Sequence, residues 1–441
     1  MELISKPEDW AVELYEDTLF NGDYKLSDYC IVEEYDNGYI LFHTVTWTIL
    51  YLTKEEFENR FNSTFLLANK IIVNKNIDET DIAEKAYVNR AYIDIKDKFK
   101  NINNFVILTT NECNANCPYC YEVLKKGKMS KETADNLLDF IEKRHNGKVT
   151  ITWFGGEPLM NTDIMDYITT KLVEKEIKYS TSIISNTFNF TEDIIEKAVN
   201  LWKINHLQVT LDGPSEYYNK IKNFDYNGDS FDFVLNNVQN ILKKTKIGIS
   251  IRINVSDENI DMVDELFSVL KDRFNDYMKT RIKFDIHEVF QMYDEPNTEK
   301  RNEFFLRLNE LQNKYSNDPK KNIILKKQLI HCFTDRCSCA VVEPNGIIHN
   351  CEHTTPSNII GTLKDGITRM DYIEKATQKD GENNAMCKEF KCKLLPVCDH
   401  YQFCEDSGPC KSKELSDLKN EIYRRKLIRT YEYYKSKKGD K

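Results

Sequence analysis

Between residues 104 and 316, short apolar runs alternate with longer stretches whose apolar residues recur every three or four positions. The runs at 105–109, 149–154, 182–185, 207–211, 247–255 and 282–289 have the length of buried strands. Each is followed by a helix-like stretch; Ser130, for instance, precedes a run that sets Leu137, Leu138 and Ile141 on one side. Six such units predict an α/β fold, a parallel sheet wound right-handed with its helices outside. Six rather than eight implies a partial, open (β/α)6 TIM barrel, with functional groups in the loops at the C-terminal ends of its strands.

The flanks read differently. Over residues 1–100, strand-like runs on either side of Asp36-Asn37-Gly38 predict a hairpin around Asn37-Gly38. Thr53 is placed to cap a short helix, and Asp78 a longer one with Ile82, Ala86, Tyr87 and Ala91 on one face. A small hairpin-plus-helices module therefore precedes the barrel, which is expected over 101–325. Periodicity fades over 326–415, where nine cysteines fall among short loops. Such a segment has little apolar material and needs inorganic clusters to hold its shape. The tail, 416–441, reads as a basic helix through Arg424-Arg425-Lys426 with a solvated face.

Charge and hydropathy narrow the class. A net charge of −10 argues against a nucleic-acid partner. No run approaches the roughly 18 apolar residues of a membrane helix, and the acidic N-terminus lacks the apolar core of a secretory signal. A cytoplasmic location is expected, where thiols are kept reduced. Thirteen cysteines then call for ligation rather than disulfides, and all but Cys30 fall into two clusters. Cys30 reads as an inert thiol.

The first cluster follows the first barrel strand: Asn111-Glu112-Cys113-Asn114-Ala115-Asn116-Cys117-Pro118-Tyr119-Cys120. Three thiolates from one loop suit a cubane with one iron left open to a substrate. Zinc would ordinarily require a fourth Cys or His, and none lies in this loop.

The spacing C-x3-C-x2-C with Tyr119 before the last cysteine resembles the signature of the radical SAM superfamily. The resemblance implies a [4Fe–4S] cluster on Cys113, Cys117 and Cys120 that binds S-adenosylmethionine (SAM) and splits it reductively to a 5'-deoxyadenosyl radical. Gly155-Gly156-Glu157-Pro158 resembles the family's motif for the SAM amino group: the glycines would let backbone approach, and Glu157 would accept from the ammonium. Ser185-Asn186, Thr210 and Asp212 of Thr210-Leu211-Asp212-Gly213-Pro214, and Arg252 of Ile251-Arg252-Ile253-Asn254 match further cofactor-binding segments at strand ends. Tyr217-Tyr218-Asn219-Lys220 departs from the His-Asp/Asn-Lys common in relatives. The general base is sought among Asp212, Asp285, His287 and Glu288.

Cys332, Cys337, Cys339 and Cys351, then Cys387, Cys392, Cys398, Cys404 and Cys410, resemble the SPASM extension of these enzymes. That resemblance implies two auxiliary [4Fe–4S] clusters. Cys351 and Cys404 would join one or two of Cys332, Cys337 and Cys339 in the first, and Cys387, Cys392, Cys398 and Cys410 would make the second. Eight thiolates suffice for two cubanes and nine are present. His349, His353 and His400 lie among them and read as surface or hydrogen-bonding histidines.

Three clusters suggest that electrons leave the substrate as well as enter SAM. The front module resembles the leader-recognition domains of peptide maturases, where a leader adds as a strand to a sheet edge. The expected function is a radical SAM maturase of a ribosomally made, Cys-containing peptide. Its product would be a crosslink, foremost a Cys thioether, and its electron donor a flavodoxin or ferredoxin. The alternatives are a formylglycine-forming sulfatase maturase, a carbon–carbon crosslinking or epimerising peptide enzyme, and, outside enzymes, an iron–sulfur electron-transfer or scaffold protein.

Overall fold

The computed structural model describes residues 1–15, 23–95, 101–120, 126–289, 298–315, 339–369, 392–397 and 413–439. It divides into two units. One joins Met1–Lys96 with Pro319–Asp335 and Tyr372–Lys441; the other joins Asp97–Asp318 with Arg336–Asp371.

In the first unit β1 (Glu2–Ser5), β5 (Thr48–Thr53), β4 (Gly38–His43) and β3 (Cys30–Tyr35) form an antiparallel sheet in that order. β2 (Tyr24–Leu26) pairs with β6 (Ile72–Asn74) beside it. The predicted hairpin exists with its turn one residue earlier: Tyr35 pairs with Gly38, so Asp36 and Asn37 make the loop, Asp36 at φ 54°. Gly38 is a strand residue, because a Cβ there would lie 2.1 Å from the Leu52 carbonyl oxygen. Thr53 caps its helix through a reciprocal pair with Glu56. Asp78 accepts from the Thr80 amide at the start of helix Thr80–Ile95. That helix buries Ala83, Ala86, Tyr87 and Arg90, and leaves Ile82 half-buried.

One face of the sheet packs Leu41, Leu50, Leu52 and Cys30 against Leu66, Leu67, Ile71 and Ile72. The other face is covered by helix Lys413–Gly439, so the tail helix packs on one side while Arg424 of its basic triplet stays exposed. Leu427, Thr430 and Tyr431 are buried; the Tyr431 ring stacks 5.2 Å from Tyr51 and meets Tyr35 edge-on at 5.5 Å. Burial of Leu427 and Tyr431 outweighs the basic triplet in deciding where this helix lies.

The second unit carries the six predicted strands in sequential, parallel order: β7 (Asn104–Thr110), β8 (Val149–Gly155), β9 (Tyr179–Ile184), β10 (Ile204–Thr210), β11 (Gly248–Val255) and β12 (Ile282–Glu288). Ser130 caps helix Lys131–Arg144, which buries Leu137, Leu138 and Ile141. The sheet continues past β7 through four strands that periodicity does not reveal: β13 (Cys339–Val342), parallel to β7, then antiparallel β14 (Ile347–His349), β15 (Ile359–Thr362) and β16 (Gly366–Ile367). Among the described residues, no helix is long and apolar enough to cross a membrane.

Candidate functional site

The cysteine loop leaves the C-terminal end of β7 and is tied down at several points. The Gly156 amide donates to the Thr110 carbonyl at 2.9 Å and the Glu157 amide to the Glu112 carbonyl at 2.8 Å. The two glycines are required by this approach. A Cβ on Gly155, which sits at φ 121°, would lie 2.1 Å from Thr110 O, and one on Gly156 would lie 2.3 Å from Glu112 O. The backbone they admit is therefore first that of the cysteine loop.

Glu157 is fully buried, and its carboxylate accepts from Ser185 Oγ (2.8 Å), the Asn186 amide (2.8 Å) and the Leu159 amide (3.1 Å). Burial pushes its carboxyl up to about 7 against the pull of these donors. Its oxygens thereby join the ends of β8 and β9. Asn186 extends the brace, donating to Asn114 Oδ1 at 2.7 Å and approaching Cys113 Sγ at 3.9 Å. Ser185 and Asn186 thus support the loop and are not part of the cavity wall.

Cys113, Cys117 and Cys120 stand in one another's field. Cys113 keeps exposed surface, yet burial of its thiol, with smaller contributions from Glu157, Cys117 and Cys120, pushes it up to about 11 against the Ala115 amide. A thiol raised by burial and by two neighbouring cysteines belongs to a donor set that a cationic iron cluster would satisfy, so the three residues fit a [4Fe–4S] group with one open iron.

Asp212, one of the candidate bases, is held by its neighbours. It is 1% exposed, accepts from the Tyr119 hydroxyl and from the Asn254 amide (2.9 Å), and pairs with Lys222 Nζ at 3.0 Å. Burial would lower the Lys222 ammonium, but the Asp212 carboxylate overrides it and holds the ammonium well above its ordinary range. Asp285 is likewise engaged, by Arg252 Nη1 at 2.7 Å and His287 Nε2 at 3.0 Å. Of the four candidates, Glu288 lines the cavity that opens beside the loop.

That cavity, about 350 Å³, is walled at one end by Tyr119, Cys120, Gly155 and Gly156. Its sides are Gln208 and Thr210 of β10, Arg252 and Asn254 of β11, and Glu288. Glu352 and His353, which follow β14, complete it. Burial pushes the Glu352 carboxyl up while Arg252 draws it down, and burial lowers His353. A concave, mixed-polarity space against Cys120 of the loop can hold a small polar cofactor with one end at the loop. Gln208, Lys222 and Glu352 escape the sequence reading, and His353 reads there as a surface or hydrogen-bonding histidine. For Lys222 a signal existed: a lysine one position after Ile221 and four after Tyr218, on the apolar face of an amphipathic helix.

Of the C-terminal cysteines, Cys332, Cys337, Cys387, Cys398, Cys404 and Cys410 lie outside the described residues, as does His400. Cys339 opens β13, whose Val341 pairs with His349, and Cys351 lies two residues past the end of β14. Cys392 is buried in the other unit.

Residues 107–270 match the family model of the Radical SAM superfamily. Among curated proteins, the uncharacterized protein MJ0907 of Methanocaldococcus jannaschii is 26% identical over 276 residues, 60% of this chain and 90% of its own. The radical SAM cyclopropyl synthase TigE of Paramaledivibacter caminithermalis is 24% identical over 357 residues, 71% of this chain and 70% of its own. Among solved structures, native anSMEcpe with bound AdoMet and Cp18Cys peptide is similar at a TM-score of 0.58 and 17% identity, covering 76% of this chain and 99% of that one. The last is a likeness of fold.

Proposed function

Because this chain carries a radical SAM domain, and is thus an enzyme that binds a [4Fe–4S] cluster and S-adenosylmethionine, we propose that it matures a ribosomally made peptide by forming a bond at an unactivated carbon. The observation that carries this reading is the organisation of the chain: a cofactor-sized cavity at the cysteine loop in one unit, and a separate unit built on an antiparallel sheet with β3 at its edge. A sheet edge is where an extended leader peptide adds as a further strand. The relation to TigE, itself a radical SAM cyclopropyl synthase, and the fold shared with a structure that holds a Cys-containing peptide support a peptide substrate.

Cys113, Cys117 and Cys120 hold the cluster, which when bound supplies the electron that cleaves SAM. Gly155, Gly156, Thr210 and Arg252 hold SAM in the cavity, with the Arg252 guanidinium suited to a carboxylate. Tyr119 and Asp212 act from the loop's anchoring side, and Ser185, Asn186, Glu157 and Pro158 brace the loop. Glu288 is placed to take a proton within the cavity. Cys339 and Cys351 would help to hold an auxiliary cluster, with Cys392 in a second, and such a group would supply an acceptor for the electron that the substrate loses. A flavodoxin or ferredoxin supplies the first electron.

A Cys thioether is the leading product. A carbon–carbon bond is the second reading, favoured by the TigE relation. Both remove two hydrogens from the precursor. Incubation with SAM, reductant and a Cys-containing precursor peptide that carries its leader distinguishes them by mass and by alkylation. A two-hydrogen loss with one thiol gone per bond is the thioether; the same loss with all thiols retained is the carbon–carbon bond. An unchanged mass would sink both readings. Excess leader peptide added separately should inhibit modification of the intact precursor; failure to compete would remove the leader-binding role of the β3 edge.

A further inference from the structure

We propose that Lys222 is the positioning residue of the cysteine loop, gripping the loop at two points and setting a fixed positive charge beside the thiolates that bind the cluster. This rests on the reading that Cys113, Cys117 and Cys120 hold that cluster.

Lys222 ends helix Ser215–Lys222, where Asn223 adopts a left-handed conformation at φ 46°. A lysine at a helix end ordinarily reaches into solvent, yet this one is 4% exposed. Its ammonium lies 3.0 Å from Asp212 Oδ2 and donates to the Tyr119 hydroxyl at 2.9 Å, with the Tyr119 ring centroid 5.5 Å away. Its backbone carbonyl, one of those a helix leaves without an internal partner, accepts from the Asn116 amide at 2.8 Å. The two contacts fall at residues 116 and 119, on either side of Cys117 and next to Cys120. Asp212 also accepts from the Asn254 amide, so the loop is tied through it to the ends of β10 and β11.

Stability alone does not account for this arrangement. A buried ion pair is often no better for stability than an apolar pair of the same volume, but it fixes geometry and charge. The charge of a Cys117 thiolate favours the ammonium, so the two groups interact electrostatically as well. Adding an electron to a thiolate-bound cluster adds negative charge, and a fixed cation favours that state.

The test compares anaerobically reconstituted wild type, K222R, K222M, D212N and D212N/K222M. Iron content, the electron paramagnetic resonance of the reduced SAM-binding cluster with and without SAM, its reduction potential, and 5'-deoxyadenosine formation are measured. K222R should stay close to wild type. K222M should retain iron but lower the potential and slow 5'-deoxyadenosine formation about tenfold, because the Asp212 charge is left uncompensated. D212N should raise the potential, and the neutral double variant should return it toward wild type while cleavage stays slow, since Tyr119 has lost its anchor. Wild-type potential and spectra in both K222M and D212N would overturn the proposal. So would equal losses in K222R and K222M without a shift in potential, which would mean packing alone. If K222M does not fold, the rise in D212N and the retention in K222R decide the question. If wild type itself shows no SAM-responsive signal, it is the cluster assignment that fails.

Discussion

In the barrel unit Glu157, Asp212 and Lys222 are buried at the ends of β8, β10 and helix Ser215–Lys222, and each holds part of the cysteine loop or its support. In the other unit Arg90, Glu79 and His43 are as deeply buried but join structural segments. Arg90 pairs with Glu8 at 2.7 Å and donates to the carbonyls of Thr44, Val45 and Pro396. Glu79 accepts from Tyr15, Ser27 and the Asp28 amide, and His43 meets Ser27 and Thr46. Buried charge by itself therefore does not mark a functional site. The distinguishing feature is whether the groups it holds carry reactive atoms beside a cavity.

The comparison can be broken most directly at the loop. Replacing Cys113, Cys117 and Cys120 together by Ala should abolish 5'-deoxyadenosine formation and remove about four iron atoms per chain. Retained SAM cleavage would end the assignment of the barrel unit. Gly156→Ala is the next largest effect. Its Cβ would lie 2.3 Å from Glu112 O, so the loop must shift, and SAM cleavage should fall on the order of a hundredfold. Iron analysis should show the cluster still present; near-normal cleavage would mean the close approach is not required.

Arg90→Met tests the other side. It strands Glu8 and several carbonyls, so chemical denaturation should show a loss of about 3–5 kcal/mol. The potential of the SAM-binding cluster in the folded protein should not move, and a shift would erase the contrast between the units.

The smallest effects are opposite in sign. Glu157, raised from 4.5 to about 7 chiefly by burial, binds its proton more tightly in the folded state. Its contribution is present below pH 4.5 and is lost as pH rises through 7. His43, lowered from 6.5 to about 3 by burial and then by Arg90, behaves in reverse: its contribution is present above pH 6.5 and falls as pH drops. Stability measured against pH should lose a slope worth about 2 kcal/mol in Glu157→Gln between roughly pH 5 and 7, and about as much in His43→Gln between roughly pH 6.5 and 5. An unchanged slope in either variant would show that the group it replaces is solvated.

The sequence by itself determined the features that depend on neighbours along the chain. Short runs of apolar residues placed all six barrel strands, since burial of nearly every second residue in β8 to β12, and of almost all of β7, leaves a local signature. Thr53, Asp78 and Ser130 could be read as caps because a cap and the amides it serves lie within three residues. The cysteine loop was legible for the same reason, its spacing being contained in eight residues. Tertiary structure decided what depends on distant partners. β13 to β16 form because β7 offers a free edge, which no short window records. Helix Lys413–Gly439 covers the first sheet because Tyr431 finds Tyr35 and Tyr51 roughly 400 residues away in sequence. Glu157 and Asp212 carry the residue types of a binding or proton-transfer site, but their roles turn on burial and on Ser185, Asn186, Tyr119 and Lys222, which only folding brings to them. A residue's type sets the chemistry open to it, and its desolvation and partners, fixed by the fold, select which part is used.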